Sequence, residues 1–279
     1  WCPMVVDTNG DGRITKPWNQ PVGPLRDQGV GGGGGKLVDV DLALDTRMSP
    51  GSYGVIADTK EDGVAWGVGT EFPGRIYRLD IGDNPPETCT TEVYELPVVD
   101  GKPMGFGPRG IDMDSNGILW TALSGSSHIA SFDRSKCDVL NGPSVIDSQH
   151  CQQGWTLHEI PGPNMKGTDR KADFHYYNWV DIYNTLGLGE NVPIANGSGS
   201  DSLIALIPET EEFVHMRVPY PLNFYSRGLD GRIDDPDAGW KGRGVWANYG
   251  TNLNWHTEGG KGSTSKMVKF QLRPDPLAN

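Results

Sequence analysis

The 279-residue sequence predicts an all-β fold of repeated four-stranded antiparallel units. Three observations predict it. Glycine (39 residues) and proline (21) fall between short apolar runs, and no amphipathic helical pattern extends beyond a couple of turns. Nine Trp and nine Tyr supply the bulky side chains that suit pleated strands. A long phrase also recurs: residues 52–80, SYGVIADTKEDGVAWGVGTEFPGRIYRLD, align with residues 108–133, PRGIDMDSNGILWTALSGSSHIASFD.

Each copy begins with an alternating strand at a Gly and turns at an acidic or Asn-Gly corner. A second strand carries Trp66 or Trp120, and a third ends at Asp80 or Asp133. A fourth strand follows at 91–98 in the first copy and at 154–163 in the second. A third copy is less regular. Its inner strand is expected at 176–184 and its outer two at 202–209 and 211–219, with 185–200 replacing a clean second strand. The fourth copy uses 226–234, 244–250 and 265–274 and lacks an outer strand. The segment 36–44 has the pattern of an outer strand without a unit of its own, so pairing it into the last unit would close a ring. Four antiparallel strands joined by tight turns form the blade of a β-propeller. The expectation is a propeller over 36–279 with about four recognisable blades, either complete or part of a larger ring. A calcium-loop-like segment and Gly-rich linker precede it at 1–35.

In a propeller the first strand of each blade lines the central channel. Gly110 and Gly228 then give room near the axis, and Arg109 and Arg227 stand at the channel mouth. Tyr53 holds the equivalent place in the first copy, and Trp179 is the loose counterpart in the third. Two guanidinium groups beside aromatic rings would bind a carboxylate or phosphate. The other reading pairs the arginines with Asp112 and Asp230 as staples between blades. Trp66, Trp120 and Trp246 read as packing between blades.

The phrase P-R-G-I-D-x-D-x-N-G-x-L-W resembles the repeat of the virginiamycin B lyase (streptogramin lyase) β-propellers and, more loosely, of the NHL and SMP-30-like propellers. The resemblance implies a propeller fold. For the lyases it implies elimination assisted by a metal and by a His between the proline and the glycine of an inner strand. Here those positions hold Arg109 and Arg227, so the fold carries over and the catalytic residues do not.

Asp7, Asn9 and Asp11 of DTNGDGRIT occupy positions 1, 3 and 5 of a calcium loop. Gly12 makes the turn, and the Arg13 carbonyl is the main-chain ligand. Position 12 is Trp18 rather than Glu, so the loop is not an EF-hand and needs a distant carboxylate such as Asp27. A metal-free loop of Asx turns is the alternative to structural Ca2+. The run of glycines at 30–36 lacks the ending of a phosphate loop and reads as a linker.

Six histidines are present. Asp173 with His175, and His256 with Glu258, stand two apart, which on a strand places both on one side. If the chain is catalytic, His175, His256 and Glu258 are the candidates. Asn196-Gly197-Ser198 fits a glycosylation sequon.

A formal charge of −12 argues against nucleic acid and anionic membrane surfaces as main partners, and no apolar run is long enough to span a bilayer. The first residue is Trp1, so the chain reads as a processed product or as part of something longer. Four cysteines form no CxxC motif and allow three full pairings or free thiols. The favoured pairing is Cys137–Cys151, closing a Pro/Gly-containing loop, which leaves Cys2–Cys89. Disulfides place the chain in the periplasm or outside the cell. The expected function is a module that binds an anionic small molecule, a saccharide or a protein partner at the channel. Alternatives are a metal-assisted lyase or hydrolase and a structural module of a larger extracellular assembly.

Overall fold

The computed structural model describes residues 1–19, 40–48, 51–219, 224–248, 267–274 and 277. In chain order, Val5–Val6 (β1) pairs antiparallel with Thr46–Arg47 (β2). The first large sheet follows as Gly54–Ala57 (β3), Val64–Gly69 (β4), Arg75–Asp80 (β5) and Thr90–Glu95 (β6), each strand hydrogen-bonded to the next. A small hairpin of Val98–Val99 (β7) and Lys102–Pro103 (β8) turns at Asp100-Gly101, both at positive φ. The second sheet contains Pro108–Met113 (β9), Leu119–Leu123 (β10), His128–Phe132 (β11) and Trp155–Glu159 (β12). The third contains Asn178–Asp181 (β13), Val192–Gly197 (β14), Ser202–Ile207 (β15) and Glu212–Arg217 (β16). In the fourth, Leu229–Ile233 (β17), Arg243–Asn248 (β18) and Met267–Phe270 (β19) make three strands. The fold is therefore all-β, built from consecutive antiparallel meanders as the repeats predict.

The chain forms two compact units. One comprises Trp1–Leu119 and Ala130–Leu157, the other Trp120–Ile129 and His158–Asn279. In the first unit Trp66 stacks on Tyr94 at 6.3 Å between ring centres, and Phe132 lies 4.6 Å from Tyr94. Burying such rings excludes water from the sheet's face and contributes roughly 1.5–3 kcal/mol per large apolar side chain. The buried Arg78 reaches Glu61 at 2.6 Å and Glu92 at 3.5 Å. Arg134 clasps Glu92 through Nε and Nη2, both at 2.6 Å. Val6 and Met48 join Tyr77, Val93 and Val145 in one apolar cluster, so the N-terminal segment packs within this unit. Cys2–Cys89 and Cys137–Cys151 are disulfide-bonded, in the favoured pairing.

Within each unit two sheets meet through their first strands, β3 with β9 and β13 with β17. In the first unit a Cβ on Gly54 of β3 would stand 2.7 Å from the Arg109 carbonyl and 3.3 Å from Ile111 Cγ2 of β9, so only glycine permits this approach. In the second unit the Asn178 side chain of β13 bridges β10: Oδ1 accepts from Ala122 N at 3.1 Å, and Nδ2 donates to Trp120 O at 3.0 Å. The Trp179 indole of β13 stands against Gly231 of β17 and fills the space a Cβ would occupy. Gly54 and Gly231 supply the room expected of Gly228, whose nearest non-neighbouring atom would be 3.8 Å away.

Two sequence expectations are corrected. The stretch 185–200 contains a regular second strand, β14, buried along its whole length and paired on both sides. Burial on both faces removes the alternation that marks a strand, and Pro193 further disguises it. Residues 40–44, the described part of the expected outer strand 36–44, form a turn in which Leu44 N donates to Asp41 O at 3.1 Å.

Candidate functional site

At the head of β9, Arg109 carries its guanidinium over the Tyr53 ring at 5.3 Å, with Nη1 donating to Tyr53 Oη at 3.5 Å. Tyr53 precedes β3, so the two residues that hold equivalent places in the first two copies are neighbours in the first unit. The second unit repeats the arrangement. Arg227, just ahead of β17, lies 4.8 Å from the centre of the Tyr176 ring and 6.0 Å from that of Tyr225. Tyr176 and Tyr225 meet edge to face at 6.5 Å, and Phe174 lies 6.2 Å from Tyr176. Arginine favours aromatic faces because its weakly hydrated planar cation meets the negative side of the ring.

The counterpart of Tyr53 in the third copy is thus Tyr176, not Trp179, whose ring packs between β13 and β17. Tyr176 and Tyr225 are the residues that sequence reasoning missed. Their one signal was an aromatic cluster just before an inner strand. Among the described residues the Arg227 guanidinium meets no carboxylate, Asp230 included, and its Nε is buried without a hydrogen-bond partner. The stapling alternative therefore finds no support at Arg227.

The segment carrying Tyr176 is held by its neighbours one residue at a time. Asp173 accepts from Ser200 N at 2.9 Å and from the Gly199 N–H. Phe174 N donates to Ser198 Oγ at 2.8 Å, and Tyr176 N donates to Asn196 Oδ1 at 2.8 Å. His175 is fully enclosed. Its Nδ1 lies 2.6 Å from Asn196 O, and Ser124 Oγ donates to the His175 carbonyl. Asp173 and His175 stand where they frame the aromatic platform. Asn196 is 1 % exposed and committed to the same frame, so its sequon is closed to glycosylation in the folded chain. His256 and Glu258 lie outside the described residues.

Burial depresses the pKa of His175, and does the same for His128, His158 and His150. Each therefore takes up a proton more readily unfolded than folded. Stability is whole above the ordinary histidine value of 6.5 and falls as pH drops through that value toward the depressed folded ones. Thermal melts between pH 8 and pH 5 are expected to show a level Tm that declines below about pH 6.5. His175→Gln is expected to flatten part of the decline, and an unchanged slope would refute the contribution of His175.

The N-terminal loop adopts the turns its sequence predicts. Asp7 Oδ1 accepts from Gly10 N at 2.7 Å and Oδ2 from Gly12 N at 2.9 Å. Asn9 Oδ1 accepts from Asp11 N, and Asp11 Oδ1 from Arg13 N, both at 2.9 Å. Asp27 lies outside the described residues. Among the described residues no three His, Cys, Asp or Glu side chains gather closely enough to hold a metal by themselves.

No protein-family model matches the chain, and no curated protein matches it. Solved structures do. Virginiamycin B lyase from Staphylococcus aureus is 14% identical with a TM-score of 0.39, over 81% of this chain and 71% of that one. A protein of unknown function from Bacteroides caccae is 11% identical with a TM-score of 0.47, over 82% of this chain and 66% of that one. A protein from Lactobacillus plantarum is 11% identical with a TM-score of 0.41, over 84% of this chain and 62% of that one. At this identity and score the likeness says nothing of activity, and the fold rests on the strands and registers above.

Proposed function

We propose that the chain is a secreted or periplasmic β-propeller module that binds an anionic saccharide or small carboxylate through arginines seated on tyrosines. Arg227 with Tyr176 and Tyr225 is the principal contact, and Arg109 with Tyr53 is a second of the same kind. The observation that carries this reading is the Arg227 guanidinium, which lies over a tyrosine ring with a buried Nε that has no partner. A carboxylate would supply the missing acceptor and meet the planar fork through two hydrogen bonds, while the rings offer a flat face to a sugar. Meander sheets that meet through their first strands support the propeller, and two disulfides support an oxidising compartment. The acidic chain as a whole would repel an anion, so the local cation and its missing partner must outweigh it.

Isothermal titration with an oligogalacturonate, set against a neutral oligosaccharide of equal length, tests the proposal. Wild type is expected to bind the charged ligand preferentially. Arg227→Ala should weaken binding about ten-fold or more, the size expected for one charge-assisted contact. Because the side chain forms no ion pair among the described residues, Tm should move by only a few degrees. Arg227→Lys should fall between, keeping the charge and losing the fork. Equal binding by wild type and Arg227→Ala would sink the reading, and so would a large loss of Tm in that variant.

A further inference from the structure

We infer that the N-terminal loop is a calcium site whose fourth side-chain ligand is Asp45, supplied by the residue immediately before β2. Asp7, Asn9 and Asp11 present hard oxygen donors at alternate positions, and the Arg13 carbonyl follows in register. Such a loop alone would be only a set of Asx turns. Asp45 adds an independent fact. It is completely buried, its Oδ2 accepts from Thr15 N at 2.8 Å, and its Oδ1 has no hydrogen-bond partner.

A carboxylate oxygen shut away from water without a donor is costly, and a cation is the usual remedy. The residues on either side of Asp45 meet the loop: Thr8 Oγ1 donates to Leu44 O at 2.9 Å and lies 2.9 Å from Thr46 Oγ1, and Asn9 Nδ2 donates to Ala43 O at 3.5 Å. Among the described residues the carboxylates of Asp7, Asp11 and Asp45 do not form a ready-made metal cluster, so binding would have to draw the loop and Asp45 together. A calcium ion would take Asp7, Asp11 and Asp45 as charged ligands and Asn9 and the Arg13 carbonyl as neutral ones. Residues 141 and 142 back the loop: Asn141 Nδ2 donates to Asp7 Oδ2 at 3.2 Å, and Gly142 N donates to Asp7 O at 2.7 Å. The loop leaves β1 directly after Val6, a member of the Val6–Met48–Tyr77 cluster, so occupancy would brace the start of the first unit.

The test is calorimetric titration of the whole chain with CaCl2, paired with thermal melts in CaCl2, MgCl2 and EGTA at equal ionic strength. Wild type is expected to bind one calcium and to melt higher in calcium than in magnesium or EGTA. Asp45→Asn and Asp11→Asn should each weaken binding about ten-fold or more, because affinity in such sites follows the number of charged ligands. Asp11 is exposed, so its variant remains informative if Asp45→Asn fails to fold. Asp27→Asn should bind as wild type does. Four results would overturn the site: no calcium binding at millimolar concentration, an equal response to magnesium, full affinity in Asp11→Asn or in folded Asp45→Asn, or loss of binding in Asp27→Asn.

Discussion

Gly231→Val is expected to destabilise the second unit strongly. The new Cβ would fall within the Trp179 ring, close to Cη2, Cζ2 and Cζ3. The ring is partly buried against the apolar core of this unit, so moving it aside would disturb that packing. Overpacking of this kind costs typically about 1–3 kcal/mol, and a rigid indole offers less relief than a flexible chain. Gly228→Ala provides the control, since its Cβ would meet nothing nearer than 3.8 Å. Chemical denaturation of the two variants should separate them clearly. In a Trp179→Ala background Gly231→Val should cost much less, because the obstacle is gone. Equal costs in both backgrounds would place the strain elsewhere.

Loss of the Cys2–Cys89 disulfide is the second large effect. It joins residues 87 apart, whereas Cys137–Cys151 joins residues 14 apart. In the chain-entropy account the longer loop stabilises by about 4–5 kcal/mol and the shorter by about 3 kcal/mol. The Cys2→Ala/Cys89→Ala pair should therefore lower Tm more than the Cys137→Ala/Cys151→Ala pair. The first bridge also ties the segment entering β1 to the residue just ahead of β6, so its loss should free the N-terminal segment to proteolysis. Equal sensitivity of the two variants to urea would contradict the ordering.

What could be read in the sequence was local. Alternation around Trp66 and Trp120, and turns such as Asn116-Gly117, mark strands because they depend on neighbours in the chain. Strand β14 escaped because a strand buried on both faces shows no alternation, and Pro193 argued against it. The arginines were legible as equivalents by repetition, and their tyrosine partners were only half so. Tyr53 follows from alignment, whereas Tyr176 reaches Arg227 through a segment fixed by Asn196, Ser198 and Gly199. Asp173 and His175 were conspicuous by spacing, but spacing alone does not reveal whether an imidazole faces water or a main-chain carbonyl. Asp45 gave no sequence signal at all, since its relation to Asp7 arises only when β2 pairs with β1.

The central claim is that within each unit two sheets meet through their first strands, β3 with β9 and β13 with β17, which sets each arginine beside the tyrosine of the preceding repeat. Nuclear Overhauser contacts test this most directly. A cross-peak between Gly54 Hα and the Ile111 γ-methyl is expected in the first unit. In the second, Gly231 Hα should show contacts to the Trp179 indole, with a ring-current shift that vanishes in Trp179→Leu. If both cross-peaks are missing while the Gly231–Val245 pairing within the fourth sheet is present, the sheets do not adjoin in this way and the account fails.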